Sequence, residues 1–145
     1  MLVRSKKINP NASIPTYGSS YAAGCDLSAC IDQAISIPPH TTIKVPTGLA
    51  IELPENTVGL IYARSGMATK RHLAPANKVG VIDADYRGEI IVALHNHSEE
   101  AQTIEVGERI AQLVVAPFYH VEFEEVDELS ETVRGEGGFG STGTK

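Results

Sequence analysis

The sequence predicts an all-β domain, a sandwich or barrel carrying one short helix and a glycine-rich tail, on three observations. Short runs rich in Val, Ile and Thr recur at regular spacing, bounded by Pro, Gly and Asn, as expected of many strands joined by turns. Helix-compatible patterning is confined to one segment, SGMATKRHLA. A length of 145 residues suits one domain with a single substantial core.

Taken in order, the N-terminal MLVRSKKINP lacks the apolar centre and small-residue cleavage site of a secretion signal. Cys25 and Cys30 are five positions apart, neither a zinc-knuckle nor a redox spacing. They are read as free thiols of a reducing compartment. TTIKVPTGLAIELP alternates from Ile43 to Val45, breaks at Pro46 and resumes through Leu49, Ile51 and Leu53. Pro46 and Pro54 belong at bulges or strand ends, because proline cannot donate to a ladder. TVGLIYA follows as a strand, then the helix, with Ser65 as its cap, Met67, Ala68 and Leu73 as apolar contacts, and Pro75 as its end. KVGVI, GEIIVALHN, QTIEV, RIAQLVVAP and HVEFEEV complete the strands. Residues 1–130 are expected to form the domain and 131–145 a flexible C-terminal arm. The acidic run 122–131 reads as a solvated edge that discourages strand-to-strand aggregation.

The net charge is −6, so no basic field exists to attract a polyanionic duplex, and nucleic acid is not an expected partner. No apolar run approaches membrane-spanning length, so no membrane partner is expected, and a cytoplasmic location is the default. A small anion remains within reach, because a few arginines and amides can form a local positive pocket in an acidic protein.

Four stretches are candidates for carrying chemistry, though turn-forming aspartates, a helix cap or a satisfied strand glutamine would account for the first three as well. In GVIDADYRGEI, a β-hairpin is expected with Asp83, Asp85 and Tyr86 near its tip. Continued strand geometry would put both carboxylates on one face, suited to a hard cation or to a general base. In ARSGMA, Arg64, Ser65 and Gly66 sit where a strand meets a helix start, a credible phosphate cradle. Gln112 lies inside an apolar strand and must find partners, either ladder neighbours or a ligand. His95 and His97 share a face but lack a third ligand for a metal. In the tail, Arg134, Ser141, Thr142 and several glycines have an anion-wrapping composition, and Phe139 adds a flat face for a base.

These stretches fall into five ordered motifs: AGCDLSA (23–29), PTGLAIELPENTVGLIYARSG (46–66), GVIDADYRG (80–88), GERIAQLV (107–114) and RGEGGFGSTG (134–143). Over essentially its whole length the chain resembles the trimeric dUTPases, the deoxyuridine 5′-triphosphate nucleotidohydrolases. GVIDADY and GFGSTG have the dUTPase form rather than that of the related dCTP deaminases. The resemblance implies a jelly-roll-like β-barrel, a homotrimer with shared active sites, and hydrolysis of dUTP to dUMP and pyrophosphate with Mg²⁺.

Residue by residue, the resemblance implies that Asp83 orients and deprotonates the water attacking the α-phosphorus. Tyr86 packs on the deoxyribose and leaves no room for a 2′-hydroxyl. Asn77 reads uracil, in a hairpin that includes Gly80 and Val81. Arg64, Ser65, Gly66 and Gln112 hold the phosphates or support the groups that do, and Asp26 lies near the metal's water shell. Arg134, Ser141 and Thr142 contact phosphate, while Phe139, beside Gly140, covers the uracil. Uracil offers a donor at N3 and an acceptor at O4, and cytosine reverses both. Fixed backbone groups reading uracil would be left unpaired against cytosine, at about 1–3 kcal/mol each.

Overall fold

The computed structural model describes residues 1–139. Its elements in chain order are β1 (Arg4–Lys7), β2 (Thr16–Tyr17), β3 (Cys25–Ser28), β4 (Ile35–Ile37), β5 (Thr42–Pro46), β6 (Leu49–Glu52) and β7 (Thr57–Tyr62). Then come α1 (Ser65–Lys70), β8 (Leu73–Pro75), β9 (Gly80–Ile82), β10 (Ile91–Asn96), β11 (Gln102–Ile104) and β12 (Arg109–Pro117). The largest sheet runs β2-β3-β12-β7-β9, a second runs β5-β10-β8, and β1-β6 and β11-β4 are two-stranded. The core between them includes Leu27, Ile37, Val45, Leu73, Val92, Leu94, Ile104 and Ile110. This is the nearly all-β architecture that the repeating Val/Ile runs predict.

The central strand β12 sets the geometry of the large sheet. It pairs antiparallel with β3 on one side and β7 on the other, with Gln112 opposite both Asp26 and Tyr62. The pairing with β3 shifts register between Arg109 and Ala111, where Ile110 and Ala111 are both buried in succession. One residue is thus added to β12 relative to its partner. A bulge of this kind bends the strand and re-aims the side chains beyond it.

Four expectations change. The helix is shorter than predicted and ends at Lys70; its N-cap is Arg64, which caps without a side-chain hydrogen bond, and Ser65 is the first helical residue. Pro75 does not end it: His72 turns the chain with φ 53. Leu73–Pro75 then forms an edge strand on β10, with Leu73 and Pro75 buried, and proline is tolerated there because an edge strand needs only one ladder.

The expected hairpin around Asp83 is a crossing instead. β9 pairs with β7 while β10 pairs with β5 and β8, so residues 83–89 pass from one sheet to another, tethered by buried Ile82 and Ile90. The strand stops at Ile82, so the two-residue alternation that would align Asp83 with Asp85 does not apply. HVEFEEV is not a strand, because no neighbour within the described residues pairs with it; Phe123 is 92% exposed. Finally, the sequence reading found no strand before Thr41, yet β1 to β4 lie there. All four residues of β1 are exposed, so no apolar alternation marks it, and its place follows from backbone pairing with β6.

Candidate active site

Two concave regions gather the sequence-predicted residues. The first is a cavity of about 310 Å³ lined by Asp26, Arg64, Ser65, Gly66, Arg109 and Gln112, with Gly18, Ala22 and Gly24. Direct cross-strand pairing puts Asp26 and Gln112 on one sheet face. Arg64 follows the end of β7, and its Nε donates to Asp26 Oδ1 at 2.8 Å. Arg109 Nη1 donates to Asp26 Oδ2 at 3.0 Å. The Asp26 side chain is only 15% exposed, so one shielded carboxylate splays two guanidiniums beside the cavity, with a net positive balance.

Gln112 closes the floor of this cavity. Its Nε2 donates to the Ala63 carbonyl at 2.9 Å, fixing the chain just before Arg64. A Cβ on Gly24 would come within 3.2 Å of the Gln112 Cβ and Cδ, so glycine there admits the side chain. A Cβ on Gly66, by contrast, would meet nothing within 4 Å. The fold has no steric need for glycine at that point, and the space beside it is open. Ser65 and Gly66 are exposed, and amides in the first helical turn have no intrahelical partner.

The second cavity, about 260 Å³, is lined by Asn77, Gly80, Val81, Ile82, Asp83, Tyr86 and Glu89, with Ile61, Pro75 and residues 90–93 behind them. β9 is the last strand of its sheet, so one row of its peptide groups points away from β7 and is open to a partner with its own donor and acceptor. Gly80 lets β9 approach closely, since a Cβ there would sit 3.1 Å from the Ile61 Cβ and 3.5 Å from the Asn77 amide nitrogen. Val81 is 65% exposed. The Tyr86 amide donates to the Asp83 carbonyl at 3.1 Å, and the Tyr86 hydroxyl donates to the Glu89 carbonyl at 3.0 Å. That turn leaves the Asp83 carboxylate exposed at the cavity, while Asp85 is not among its lining residues.

No described residue lines both cavities. Arg134 and Phe139 line neither: Arg134 Nε donates to the Gly137 carbonyl at 2.8 Å, and Phe139 is fully exposed with φ 50. Gly140, Ser141 and Thr142 lie outside the described residues. Residues 119–136 are exposed throughout.

Other reactive groups are poorly placed for catalysis. Burial pushes the Cys25 thiol up, and its Sγ donates to the Leu113 carbonyl at 3.4 Å. Burial, followed by the charges of Glu89 and Asp32, pushes Cys30 up as well, so both free cysteines are weak nucleophiles near neutrality. The His95 and His97 rings meet edge-on with centroids 4.4 Å apart. Among the described residues no group of three His, Cys, Asp or Glu side chains could hold a metal.

Arg109 is the residue that sequence reasoning missed. It lies three positions before Gln112, and regular alternation would send the two to opposite faces. The bulge reverses that parity and brings both to the same cavity. No helix of the described residues is long and apolar enough to cross a membrane.

Comparison with known proteins places the chain in a family. The family model for dUTPase matches residues 10–143. A deoxyuridine 5′-triphosphate nucleotidohydrolase of Desulfitobacterium hafniense is 54% identical over 131 residues, covering 90% of this chain and 87% of its own. One from Hahella chejuensis is 43% identical over 144 residues, covering 99% and 95%. Among solved structures, a Staphylococcus bacteriophage 80alpha dUTPase mutant with dUpNHpp is similar at a TM-score of 0.90 and 30% identity, covering 98% of each chain. A phage phi11 dUTPase mutant, described with a structural Mg(II) ion, is similar at a TM-score of 0.78 and 25% identity, covering 88% of this chain and 98% of its own.

Proposed function

The chain belongs to the dUTPase family, and on that premise we infer that it hydrolyses dUTP to dUMP and pyrophosphate, with the chemistry divided between the two cavities. The observation that carries the reading is their complementary make-up. One pairs guanidiniums with open glycine backbone, as a triphosphate requires. The other sets an unpaired strand edge beside a single exposed carboxylate.

The edge of β9, with Asn77, Gly80 and Val81, reads uracil. Peptide groups fixed by the β7 ladder complement the N3 donor and O4 acceptor, and cytosine would leave them unpaired. Tyr86 forms the wall against the deoxyribose. Asp83 accepts a proton from the water that attacks the α-phosphorus, as the bond to the bridging oxygen breaks and pyrophosphate leaves. A carboxylate is ionised at neutral pH and suited to that task. Arg64, Arg109, Ser65, Gly66 and Gln112 take or support the phosphates, which limits charge repulsion against the nucleophile.

The donor set fits magnesium carried mainly by the triphosphate. Asp26 is the one carboxylate of its cavity. Each of its oxygens already accepts from an arginine, yet each retains a second lone pair. That suits a metal-bound water better than direct ligation, and Mg²⁺ keeps several waters. When bound, the ion adds charge neutralisation at the phosphates.

Because no described residue lines both cavities, we further propose that a complete site forms between copies of the chain, as a homotrimer. Arg134 and Phe139 would then reach a site on a neighbouring copy, joined by Gly140, Ser141 and Thr142. The direct test is pyrophosphate release with Mg²⁺ from dUTP, dCTP, dTTP and UTP. Fast release from dUTP alone is expected; equal rates across the four would refute a base-reading edge, and ammonia release from dCTP would point to a deaminase.

A further inference from the structure

Glu89 lines the cavity of Asp83 and also a second hollow formed by Ile8, Asn9, Pro10, Cys30, Pro46 and Gly48. Its two ends have different tasks. The carboxylate Oε1 accepts from the Gly48 amide at 2.8 Å, while the carbonyl accepts from the Tyr86 hydroxyl at 3.0 Å. The Tyr86 ring also leans on Gly88, where a Cβ would come within 2.6 Å of the ring Cζ. The ring thus lies against Gly88 and is bonded to the main chain of Glu89, the residue whose carboxylate is anchored at Gly48.

That anchor is stiff. Gly48 has φ 67, and a Cβ there would lie 2.8 Å from both the Ala12 Cβ and the Cys30 Sγ. Its carbonyl accepts from the Ile8 and Asn9 amides at 2.7 and 3.2 Å. Besides Ala84, which packs on the core, the crossing segment has few outside tethers. Within residues 83–88, apart from the Tyr86 hydroxyl bond to Glu89, the hydrogen bonds of the described chain stay inside the segment, from Tyr86 N to Asp83 O and from Arg87 to the Ala84 and Tyr86 carbonyls. Beyond Glu89 the next tether is Ile90 N to Leu49 O at 2.8 Å.

We propose that Glu89 is a specificity-positioning residue: by gripping the Gly48 amide it stiffens the Tyr86 wall, and discrimination between deoxyribose and ribose substrates depends on that grip. The inference rests on the reading of Tyr86 as the sugar wall. A wall rejects one extra hydroxyl only while its neighbours cannot yield, since the cost of overpacking disappears when the site relaxes. Glu89 does this without touching the sugar, so the acceptor oxygen matters and the charge does not.

The test measures kcat/KM for dUTP and for UTP, with Mg²⁺ and alongside melting temperatures, in the wild type and in Glu89→Ala, Glu89→Gln, Glu89→Asp and Tyr86→Ala. Loss of one hydrogen-bonded anchor predicts that Glu89→Ala narrows the dUTP-to-UTP ratio about three- to tenfold, chiefly by admitting UTP. Glu89→Gln keeps an acceptor and should restore the wild-type ratio. A role confined to stability would slow both substrates alike and leave the ratio alone. If the alanine variant does not fold, Glu89→Asp decides, because it keeps the charge but shortens the reach, and it too should narrow the ratio. An unchanged ratio in the folded Glu89 variants while Tyr86→Ala loses discrimination would overturn the proposal alone. Equal loss in the Ala and Gln variants would also overturn it, by showing that charge is what counts. An unchanged ratio in Tyr86→Ala would remove the sugar wall itself.

Discussion

The two cavities are of similar size but are built in opposite ways. Around Arg64 long polar side chains hold one another in place: two guanidiniums share Asp26, and Gln112 ties down the strand end. Around Asp83 an edge strand paired with β7 on one side meets a crossing segment tied to Gly48 on the other, with one exposed carboxylate. Charge recognises phosphate from many directions, so flexible side chains serve it well. A base differs from its competitors by single hydrogen-bonding groups, so a rigid edge is needed to read it. Affinity should therefore follow the first cavity and selectivity the second.

The largest effect should come from the part belonging to neither cavity. Removing residues 134–145 takes away Arg134 and Phe139 and, among the described residues, none of the core, so pyrophosphate release should fall close to background while the melting temperature and the oligomeric state hold. Loss of folding would mean that the segment supports the domain rather than the ligand.

Next in size is Asp83→Asn, expected to retain dUTP binding yet lose rate by at least about 10²-fold, the lower range for general base catalysis. The same variant sharpens the division between the cavities. Mixed and reassembled with an Arg64→Ala chain, it should regain activity that neither chain has alone, if sites form between copies. No recovery after verified subunit exchange would place both cavities' contributions in one chain.

A smaller effect is expected from Asp26→Asn, which leaves both arginines without their shared anion. Binding of dUTP should weaken about tenfold or more, the usual weight of hydrogen bonds to charged groups, while the preference for dUTP over dCTP stays. A change of base preference would break the contrast between the two regions.

The smallest effect lies outside both. Burial, and then His95, hold His97 below its ordinary value of 6.5. The unfolded chain therefore takes up that proton at higher pH than the native one. The stability involved is intact above the ordinary value and is lost as pH falls below it. His97 is exposed, so the acid-side drop in melting temperature should be slight, and His97→Gln should reduce it without altering selectivity. A larger drop in the variant would reverse the assigned direction.

Much of this was legible in the sequence, for reasons that differ by element. β7 and β10 announce themselves because alternating burial writes an alternating pattern. Residues 64–66 and 112, and Asn77, Gly80, Val81, Asp83 and Tyr86, were legible in the motifs, and the structure sets the first group in one cavity and the second in the other. What stayed hidden depends on pairing rather than composition. RSKK becomes a strand only because β6 offers it an edge. Leu73–Pro75 reads as the tail of a helix until β10 claims it. The chain from β9 to β10 looks like a hairpin, since nothing local says that its two strands join different sheets. Arg109 was hidden most completely, because its direction depends on a register shift that no residue type signals.

That shift also limits how the gene can vary. In a regular strand a substitution changes one side chain, whereas a change of length reverses the facing of everything beyond it. At the bulge that rule inverts: deleting Ile110 would leave Arg109 two positions from Gln112, still on one face by regular alternation, and would remove a fully buried side chain instead. At this point of the chain, loss of the extra residue should cost the packing of Ile110 rather than the shared facing of Arg109 and Gln112.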